Sequence, residues 1–272
     1  MLKQYGLVIG KEDPNAYILG GGMLPRVILQ EDGNWGPFLP VYEPQFNDKY
    51  DSYGCTVWAT ENCIETMLER LHPNEWNFSE RFIYILANIS PPGADPHHVM
   101  EVIRENGLIP NDLLPMTPNY EDFLKPKPMT DALLEEGLKF GYEVRHEYLW
   151  KFGDNPTKEE RLKKIKEALQ YSPLAVSVTA WFEENGVYVD NGQPNTHLTE
   201  LFAIGEKGYM VFDSYDQSIK VLSFDHNIGM AKRFHLERSN KLQQVSLLQK
   251  VLTLLKELVA RLNTKVGKIW YN

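Results

Sequence analysis

The chain has 272 residues, of which 43% are hydrophobic and 24% charged, and its formal net charge is −9. This composition is typical of a globular protein with one large or two small domains. The acidic balance argues against nucleic acid as the main partner, because phosphate binding needs clustered Lys and Arg. The basic pairs Lys163-Lys164 and Lys232-Arg233 are interpreted as solvated faces.

The predicted elements indicate an α+β fold with two lobes. Residues 1–44 are rich in Gly and Pro and are predicted to form an irregular N-terminal arm. A helical first half, a loop over 108–130 and a strand-rich second half follow, which is typical of segregated lobes. Helices are predicted over 55–71, 79–89, 96–106, 131–140 and 158–171, and strands over 143–149, 174–179, 197–204, 209–212 and 220–224.

A heptad pattern distinguishes the C-terminal tail, residues 238–272. Its apolar residues recur at alternating spacings of three and four, which predicts an amphipathic helix. We expect this helix to form a homo-oligomer through residues 245–269. Packing against its own domain is the alternative, and a helix lying on a membrane surface is a lesser one. The seam consists of Val245, Leu248, Leu252, Leu255, Val259, Leu262, Val266 and Ile269.

The chain contains two cysteines, Cys55 and Cys63. They lie about two turns apart on one predicted helix, which is too far for a disulfide bond. Reduced thiols favour a cytoplasmic or phage-associated protein over a disulfide-stapled secreted one. No signal peptide is predicted, because the first residues lack a long apolar run, and no apolar stretch reaches the length of a membrane span.

Cys55 is the candidate nucleophile. Gly54 precedes it and helical periodicity follows at once, so the thiol lies in the first turn of a helix. Free N–H groups and the helix dipole favour a thiolate at that position. Cys63 lies deeper on the same helix and is interpreted as a core residue.

His197 is the candidate base for this thiol. It begins an apolar strand, and Asp213 ends the next strand after a tight turn. The two strands are therefore antiparallel neighbours, and Asp213 can accept a hydrogen bond from the imidazole and fix its tautomer. Structural, capping or surface roles are expected for the other histidines, which are His72, His97, His98, His146, His226 and His235.

These motifs together resemble the papain-like cysteine peptidases. Cys55 is followed by Thr56-Val57-Trp58-Ala59, which is similar to the family's Cys-Trp-Ala-Phe-Ser signature, and Ile64-Glu65 stands at the matching offset. The order of later segments also agrees with the family over residues 45–220. The matching segments are residues 93–96, 99–109, 162–178, 197–205 and 209–215.

The resemblance implies a papain-like catalytic domain over residues 45–237, with a helical lobe and an antiparallel β lobe. The N-terminal arm over 1–44 would precede it, and the heptad helix over 238–272 would follow. It also implies a peptidase for peptide or protein substrates that needs no metal and no cofactor. The absence of disulfides is similar to compact members encoded by bacteriophages.

The resemblance further implies a catalytic triad of Cys55, His197 and Asp213. Asp213 stands where the family has Asn, and Tyr215 stands where the family has the Trp that shields this amide. An Asp is chemically competent in this role, and we expect it to hold an imidazolium more strongly than Asn does.

The oxyanion donor departs from the family pattern. Lys49 stands at the offset where the family has its oxyanion Gln. We favour Gln45, further upstream, as the donor, with Asn47 as the next candidate, because a side-chain amide suits a developing oxyanion. By resemblance, Gly93 and Ala94 would hold substrate backbone in extended form. Leu198 would line the pocket for the side chain two residues before the cleaved bond.

Two alternatives to a peptidase remain open from the sequence. A catalytically silent papain-fold module could serve in assembly or binding, since a fold does not prove an activity. A cysteine amidase acting on cell-wall peptides or another amide would use the same Cys-His-Asp logic.

Overall fold

The computed structural model describes residues 5–10, 27–215 and 219–239, together with scattered positions between 241 and 259. The fold is α+β with two lobes, as the sequence predicts. The helices are α1 (Cys55–Leu71), α2 (Glu80–Leu86), α3 (Pro96–Asn106), α4 (Tyr120–Phe123), α5 (Asp131–Leu138) and α6 (Lys158–Ala168). The strands are β1 (Gly6–Leu7), β2 (Gly93–Ala94), β3 (Tyr142–Trp150), β4 (Leu174–Val178), β5 (Glu183–Glu184), β6 (Val187–Tyr188), β7 (His197–Ile204), β8 (Tyr209–Phe212), β9 (Ile219–Leu222) and β10 (Ile228–Arg238).

An eight-stranded sheet forms the β lobe, in the order β3-β10-β4-β7-β8-β9-β6-β5. Its neighbouring strands are antiparallel except β6 and β9, which pair in parallel. The predicted hairpin is confirmed, because β7 pairs with β8. His197, the first residue of β7, pairs with Val178 of β4 and so begins an interior strand of the sheet.

Helix α1 is the centre of the molecule. Every residue from Cys55 to Leu68 is buried. The helix packs against β7 of the sheet and against α2 and α3. A helix buried all round can join two lobes into one core. Cys63, which is fully buried, is a core residue as predicted.

Local signals explain the ends of several helices. The Asp95 side chain accepts from the N–H of His97, and Pro96 occupies the first position of α3. Gly107 ends α3 with a φ of 73°, a conformation that favours glycine. Ser79 caps α2 as predicted, because its side chain accepts from the N–H of Phe82.

The basic pair Lys232-Arg233 is not a solvated face, and this interpretation is wrong. Both residues lie inside β10, a strand that the sequence did not predict, and both side chains are buried. The Arg233 guanidinium pairs with the carboxylate of Glu147 on β3. A buried cation is tolerated when it is paired, and these partners are too distant in sequence to be recognised from it.

Residues 27–44 of the predicted arm lie against the body of the protein. The indole of Trp35 is fully buried and donates to the carbonyl of Leu169 at 2.6 Å. Within the predicted loop over 108–130, the structure contains the short helix α4 and a 3-10 turn over Asn111–Leu113.

The described positions of the tail between 241 and 259 have helical conformation. Leu248, Leu255 and Val259 of the predicted seam are 64%, 53% and 54% exposed, so they do not pack against the described body. Among the described residues, no helix combines the length and the hydropathy that crossing a membrane requires. The seam residues Val245, Leu252, Leu262, Val266 and Ile269 lie outside the described residues.

Association through the tail stays a prediction, and the exposed seam makes it testable. We expect the paired change Leu248→Gln and Leu255→Gln to lower the association state of the full chain in sedimentation velocity, because it removes apolar seam positions. The matched control changes Lys250 and Lys256 to Gln on the same helix and should sediment like the unmodified protein. A monomeric unmodified chain would contradict the prediction.

A buried polar cluster joins α3 to the sheet. The ammonium of Lys232 on β10 donates to Nδ1 of His97 at 2.9 Å and to Nδ1 of His146 at 3.0 Å. Nε2 of His146 lies 2.9 Å from the carboxylate of Glu101 on α3. An ammonium only donates, so the neutral His146 ring carries its proton on Nε2 and donates to Glu101. Burial, followed by the charge of Lys232, lowers the pKa of His146 to about 3.

This cluster predicts a loss of stability in acid. The pKa of His146 lies below its ordinary value of 6.5 in the folded state, so the unfolded chain binds the proton first as the pH falls. The free energy of unfolding should therefore fall as the pH drops below 6.5. We expect His146→Gln to reduce the loss between about pH 6.5 and pH 4.5 by about 2 kcal/mol in urea titrations. His235→Gln is the control. His235 is only half-buried, so this substitution should change the pH dependence of the free energy of unfolding less.

Candidate active site

The first turn of α1 presents Cys55 to the start of β7. Gly54 precedes it at a point where a Cβ would lie 2.4 Å from the ring of Trp58, so only glycine lets the chain enter the helix here. The sulfur accepts the N–H of Leu198 at 3.4 Å. Because Leu198 follows His197, this contact brings the candidate nucleophile beside the candidate base.

The thiol of Cys55 is fully buried. Burial raises its pKa well above the ordinary value, the carboxylates of Asp213 and Asp51 act in the same direction, and the N–H of Leu198 opposes them. The helix terminus alone favours a thiolate, as the sequence predicts, but desolvation dominates in this state. Burial therefore favours the neutral thiol over the thiolate in this state.

His197 is held by Asp213. Nε2 of the fully buried ring lies 2.5 Å from Oδ1 of Asp213, so the neutral ring donates from Nε2. Nδ1 is buried and has no hydrogen-bond partner among the described residues. This tautomer leaves Nδ1 as the ring atom that can receive a proton. The rings of Trp181 and Tyr5 stand edge-on to the imidazole, with centroids at 5.3 and 5.2 Å.

The second oxygen of Asp213 carries a partner that the sequence did not indicate. Nζ of Lys220 lies 2.6 Å from Oδ2, and the N–H of Tyr215 donates to the same oxygen at 3.2 Å. Asp213 and Lys220 are both buried. The one sequence signal for Lys220 was its place inside an otherwise apolar run of β9.

Gln45 faces this site and is fully buried. Its amide oxygen accepts the hydroxyl of Ser214 at 2.9 Å, which turns its Nε2 toward the carbonyl of Tyr5 at 3.0 Å. Ser214, like Lys220, was missed from the sequence. Nε2 also donates to Oδ1 of Asp51 at 3.1 Å.

Asn47, the next oxyanion candidate, is engaged in a turn. Its Oδ1 accepts the N–H groups of Lys49 and Tyr50, and its Nδ2 donates to the carbonyl of Thr117. These contacts favour Gln45 over Asn47 as the amide that faces the cleft.

The N-terminal segment lies across these residues. Strand β1 pairs in parallel with β2, with Gly6 opposite Gly93 and Leu7 opposite Ala94. The N–H groups of Tyr5 and Leu7 point at the carbonyl of Thr196, at 3.2 and 3.4 Å. Gly93 and Ala94 thus hold an extended backbone, and it is the protein's own.

The docking of this segment depends on Gly6. Its φ is +116°, and a Cβ at this position would lie 2.0 Å from the carbonyl oxygen of Tyr53. Gly93 meets the same constraint, because a Cβ added to Gly93 would lie 1.8 Å from the carbonyl oxygen of Gly6. Two glycines facing each other let the two backbones approach.

The structure brings Cys55, His197, Asp213 and Gln45 together and places Gly93 and Ala94 along the same cleft. Leu198 is fully buried, and its described contact with Cys55 is made by its N–H. Its side chain as a pocket wall stays a prediction.

Elsewhere, ligand atoms of His97, Glu101 and His146 lie within 4.8 Å of one another, a spacing that could hold a metal ion. The ammonium of Lys232 already lies on both imidazoles.

Solved structures show what this fold resembles. Xylellain, a cysteine protease from Xylella fastidiosa, superposes with a TM-score of 0.57 at 14% identity over 88% of this chain and 97% of its own. Digestive procathepsin L 3 of Tenebrio molitor superposes with a TM-score of 0.52 at 12% identity over 78% of this chain and 73% of its own. The bromelain protease of Ananas comosus, in complex with the E64 inhibitor, superposes with a TM-score of 0.51 at 14% identity over 75% of this chain and 98% of its own.

No protein-family model matches the sequence, and no curated protein matches it. At these identities the superpositions establish the fold alone. The chain has a papain-like fold, and the resemblance predicted from its sequence is confirmed at that level.

The docked segment predicts a protected thiol. We expect Gly6→Ala to raise the rate of Cys55 alkylation by iodoacetamide by about tenfold or more, because a Cβ at Gly6 displaces the segment that covers the site. Mass spectrometry of peptides separates Cys55 from Cys63, which should stay protected in the core. Ile9→Ala is the control, since Ile9 is 58% exposed. Equal Cys55 rates in both variants would contradict the prediction.

Proposed function

We propose that the protein is a cysteine peptidase that hydrolyses peptide bonds through Cys55, His197 and Asp213. One observation carries the proposal. An extended stretch of polypeptide lies against His197, with the carbonyl of Tyr5 on the amide of Gln45 and two N–H groups on the carbonyl of Thr196. A site that binds main chain in this way is suited to peptide bonds.

The proposed mechanism begins with transfer of the Cys55 proton to Nδ1 of His197. The thiolate attacks the substrate carbonyl, and Gln45 together with the N–H of Cys55 stabilises the oxyanion. Collapse of this intermediate breaks the C–N bond, and the imidazolium of His197 gives its proton to the leaving amine. Water then attacks the thioester and gives a proton to His197. The C–S bond breaks, the carboxylic acid product leaves, and His197 returns the proton to the sulfur of Cys55. Asp213 keeps the ring in the required orientation at every step.

The same geometry makes the described state latent. Tyr5, Gly6 and Leu7 take the contacts that a substrate needs, and Cys55 is buried as a neutral thiol. Turnover requires this segment to leave the cleft. The segment then gives way to the substrate, and opening also lowers the desolvation that opposes the thiolate.

Backbone recognition favours a peptide or protein substrate over a small amide. The edge formed by Gly93 and Ala94 accepts an extended chain by strand addition, with the carbonyl of Ala94 taking the N–H of Val8 at 2.8 Å. A cysteine amidase for cell-wall peptides remains the second enzymatic candidate, because such a substrate also presents amide groups. The covering segment and the burial that raises the pKa of the Cys55 thiol favour a silent binding module.

The proposal predicts that activity depends on one of the two cysteines. Cys55→Ala should lower hydrolysis of a fluorogenic peptide library by about a thousandfold or more, because the nucleophile is lost. Cys63→Ala is the matched control and should keep most of the activity, since Cys63 is a core residue. Both are measured in the full chain with and without Gly6→Ala.

The alternatives give different results in the same assay. Turnover of purified cell wall without turnover of any peptide would identify an amidase. Alkylation of Cys55 without hydrolysis of either substrate would identify a silent module. Equal loss of peptide hydrolysis in the two cysteine variants would contradict the assigned nucleophile.

A further inference from the structure

A row of three buried ionisable groups runs away from the candidate nucleophile. His197 contacts one oxygen of Asp213 at 2.5 Å, and Lys220 contacts the other at 2.6 Å. All three side chains are at most 1% exposed. Lys220 also donates to the carbonyl of Tyr215, so its ammonium is fixed at two points.

Charge explains what this arrangement does. An ionised carboxylate alone beside an imidazole favours the imidazolium strongly, and a buried carboxylate alone is costly. The ammonium of Lys220 on the second oxygen supplies the opposite charge. Asp213 and Lys220 together carry no net charge, although Asp213 still offers His197 an ordered acceptor.

The charge balance bears on how this sequence departs from the family it resembles. That family has a neutral Asn where Asp213 stands. A carboxylate neutralised by a buried ammonium presents an acceptor oxygen without a net charge, as the Asn amide does. The departure at Asp213 is therefore accompanied by a second residue that offsets it.

We propose that Lys220 is a positioning residue of the active site, which balances the charge of Asp213 so that His197 keeps its orientation and can both accept and release a proton. This inference rests on the proposed function, because it describes how the proposed base is tuned. The ring of Trp181 contacts both ends of the row, with its centroid 4.9 Å from Nζ of Lys220 and 5.3 Å from that of His197. Nζ of Lys220 contacts the oxygen of Asp213 that His197 leaves free, so the lysine charge acts on His197 through this carboxylate.

Other ionisable groups face the row and stay unchanged in the test. Cys55 faces it from α1, and Asp51 from the loop before α1, where it accepts the Tyr215 hydroxyl at 2.8 Å. Tyr5, which precedes β1, faces His197, and Tyr188 faces Lys220 from β6. Differences between variants at Lys220 therefore report the lysine charge.

The test compares Lys220→Met, Lys220→Arg and the double variant Asp213→Asn/Lys220→Met, all in the full chain with Gly6→Ala. Lys220→Met leaves the negative charge of Asp213 without its counter-ion. This charge then raises the pKa of the neighbouring imidazole and thiol. Both limbs of the pH profile of kcat/KM should move to higher pH by about one unit or more. We expect kcat to fall about tenfold while KM changes little, because the Lys220 side chain is buried and paired with Asp213.

The other variants restore the balance in different ways. Lys220→Arg keeps the charge and should recover most of the kcat lost in Lys220→Met. The double variant removes both charges and should return the limbs toward their original positions. Lys232→Met is the matched control, a fully buried lysine removed elsewhere, and should lower thermal stability without moving the limbs.

The outcomes separate this inference from the proposed function. If Lys220→Met folds and keeps the original kcat and both limbs of the pH profile, the inference about Lys220 is overturned. If Lys220→Met does not fold, the comparison uses Asp213→Asn, whose unpaired lysine should make it at least about tenfold less active than the double variant. Equal activity of those two overturns the inference.

A readout independent of peptide turnover completes the test. The rate of Cys55 alkylation by iodoacetamide is followed against pH in the same variants. If no peptide is hydrolysed but Lys220→Met shifts this profile to higher pH, the proposed function fails and the role of Lys220 stands. If peptides are hydrolysed and neither profile shifts, the role of Lys220 fails alone.

Discussion

The N–H of Leu198 points at the sulfur of Cys55 across 3.4 Å, and this contact joins the first turn of α1 to the first residues of β7. Both elements are buried along most of their length, so neither can shift without disturbing the core. The position of α1 against β7 therefore places Cys55 beside His197 without any covalent restraint. Packing of the two lobes on one helix provides the precision that a thiol and an imidazole need.

Buried charge is the second constraint on this fold. Asp213 and Lys220 form one buried pair, and Glu147 and Arg233 form another between β3 and β10. Each pair is stable only while both members are present, since removing one leaves an uncompensated charge at a cost of about 3–5 kcal/mol. Glu200 solves the same problem differently, because burial raises its pKa to about 8 and leaves it neutral at pH 7. The β lobe thus contains carboxylates of two kinds. Asp213 and Glu147 are ion-paired and would lose their pairing on protonation in acid, whereas Glu200 is already protonated at pH 7.

How much the sequence could predict depended on the distance over which each signal acts. Helix α3 was predicted with its ends, because Pro96 and Gly107 are local signals. His197 and Asp213 were found because a tight turn makes their strands neighbours. Strand β10 was missed, since Lys232 and Arg233 have the composition of a surface and their partners lie far away in the chain. The contact of Ser214 with Gln45 and the docking of Gly6 on Gly93 also join residues far apart in the chain. Lys220 lies only seven residues from Asp213, but the sequence between them carries no signal for an ion pair. Gln45 was chosen for its chemistry, and the hydroxyl that orients it could not be foreseen.

The state of Cys55 follows from two opposing effects whose sizes differ. A helix N-terminus stabilises a nearby anion by about 0.3–1 kcal/mol at a surface and up to about 2 kcal/mol when partly buried. Removing an ion from water costs several kcal/mol. While Tyr5 and Gly6 cover the site, the second effect exceeds the first, and burial raises the pKa of the Cys55 thiol. Displacing these residues lowers the desolvation cost and leaves the helix terminus in place. Under the proposed function, the same covering segment would therefore control both the access of a substrate and the ionisation of Cys55.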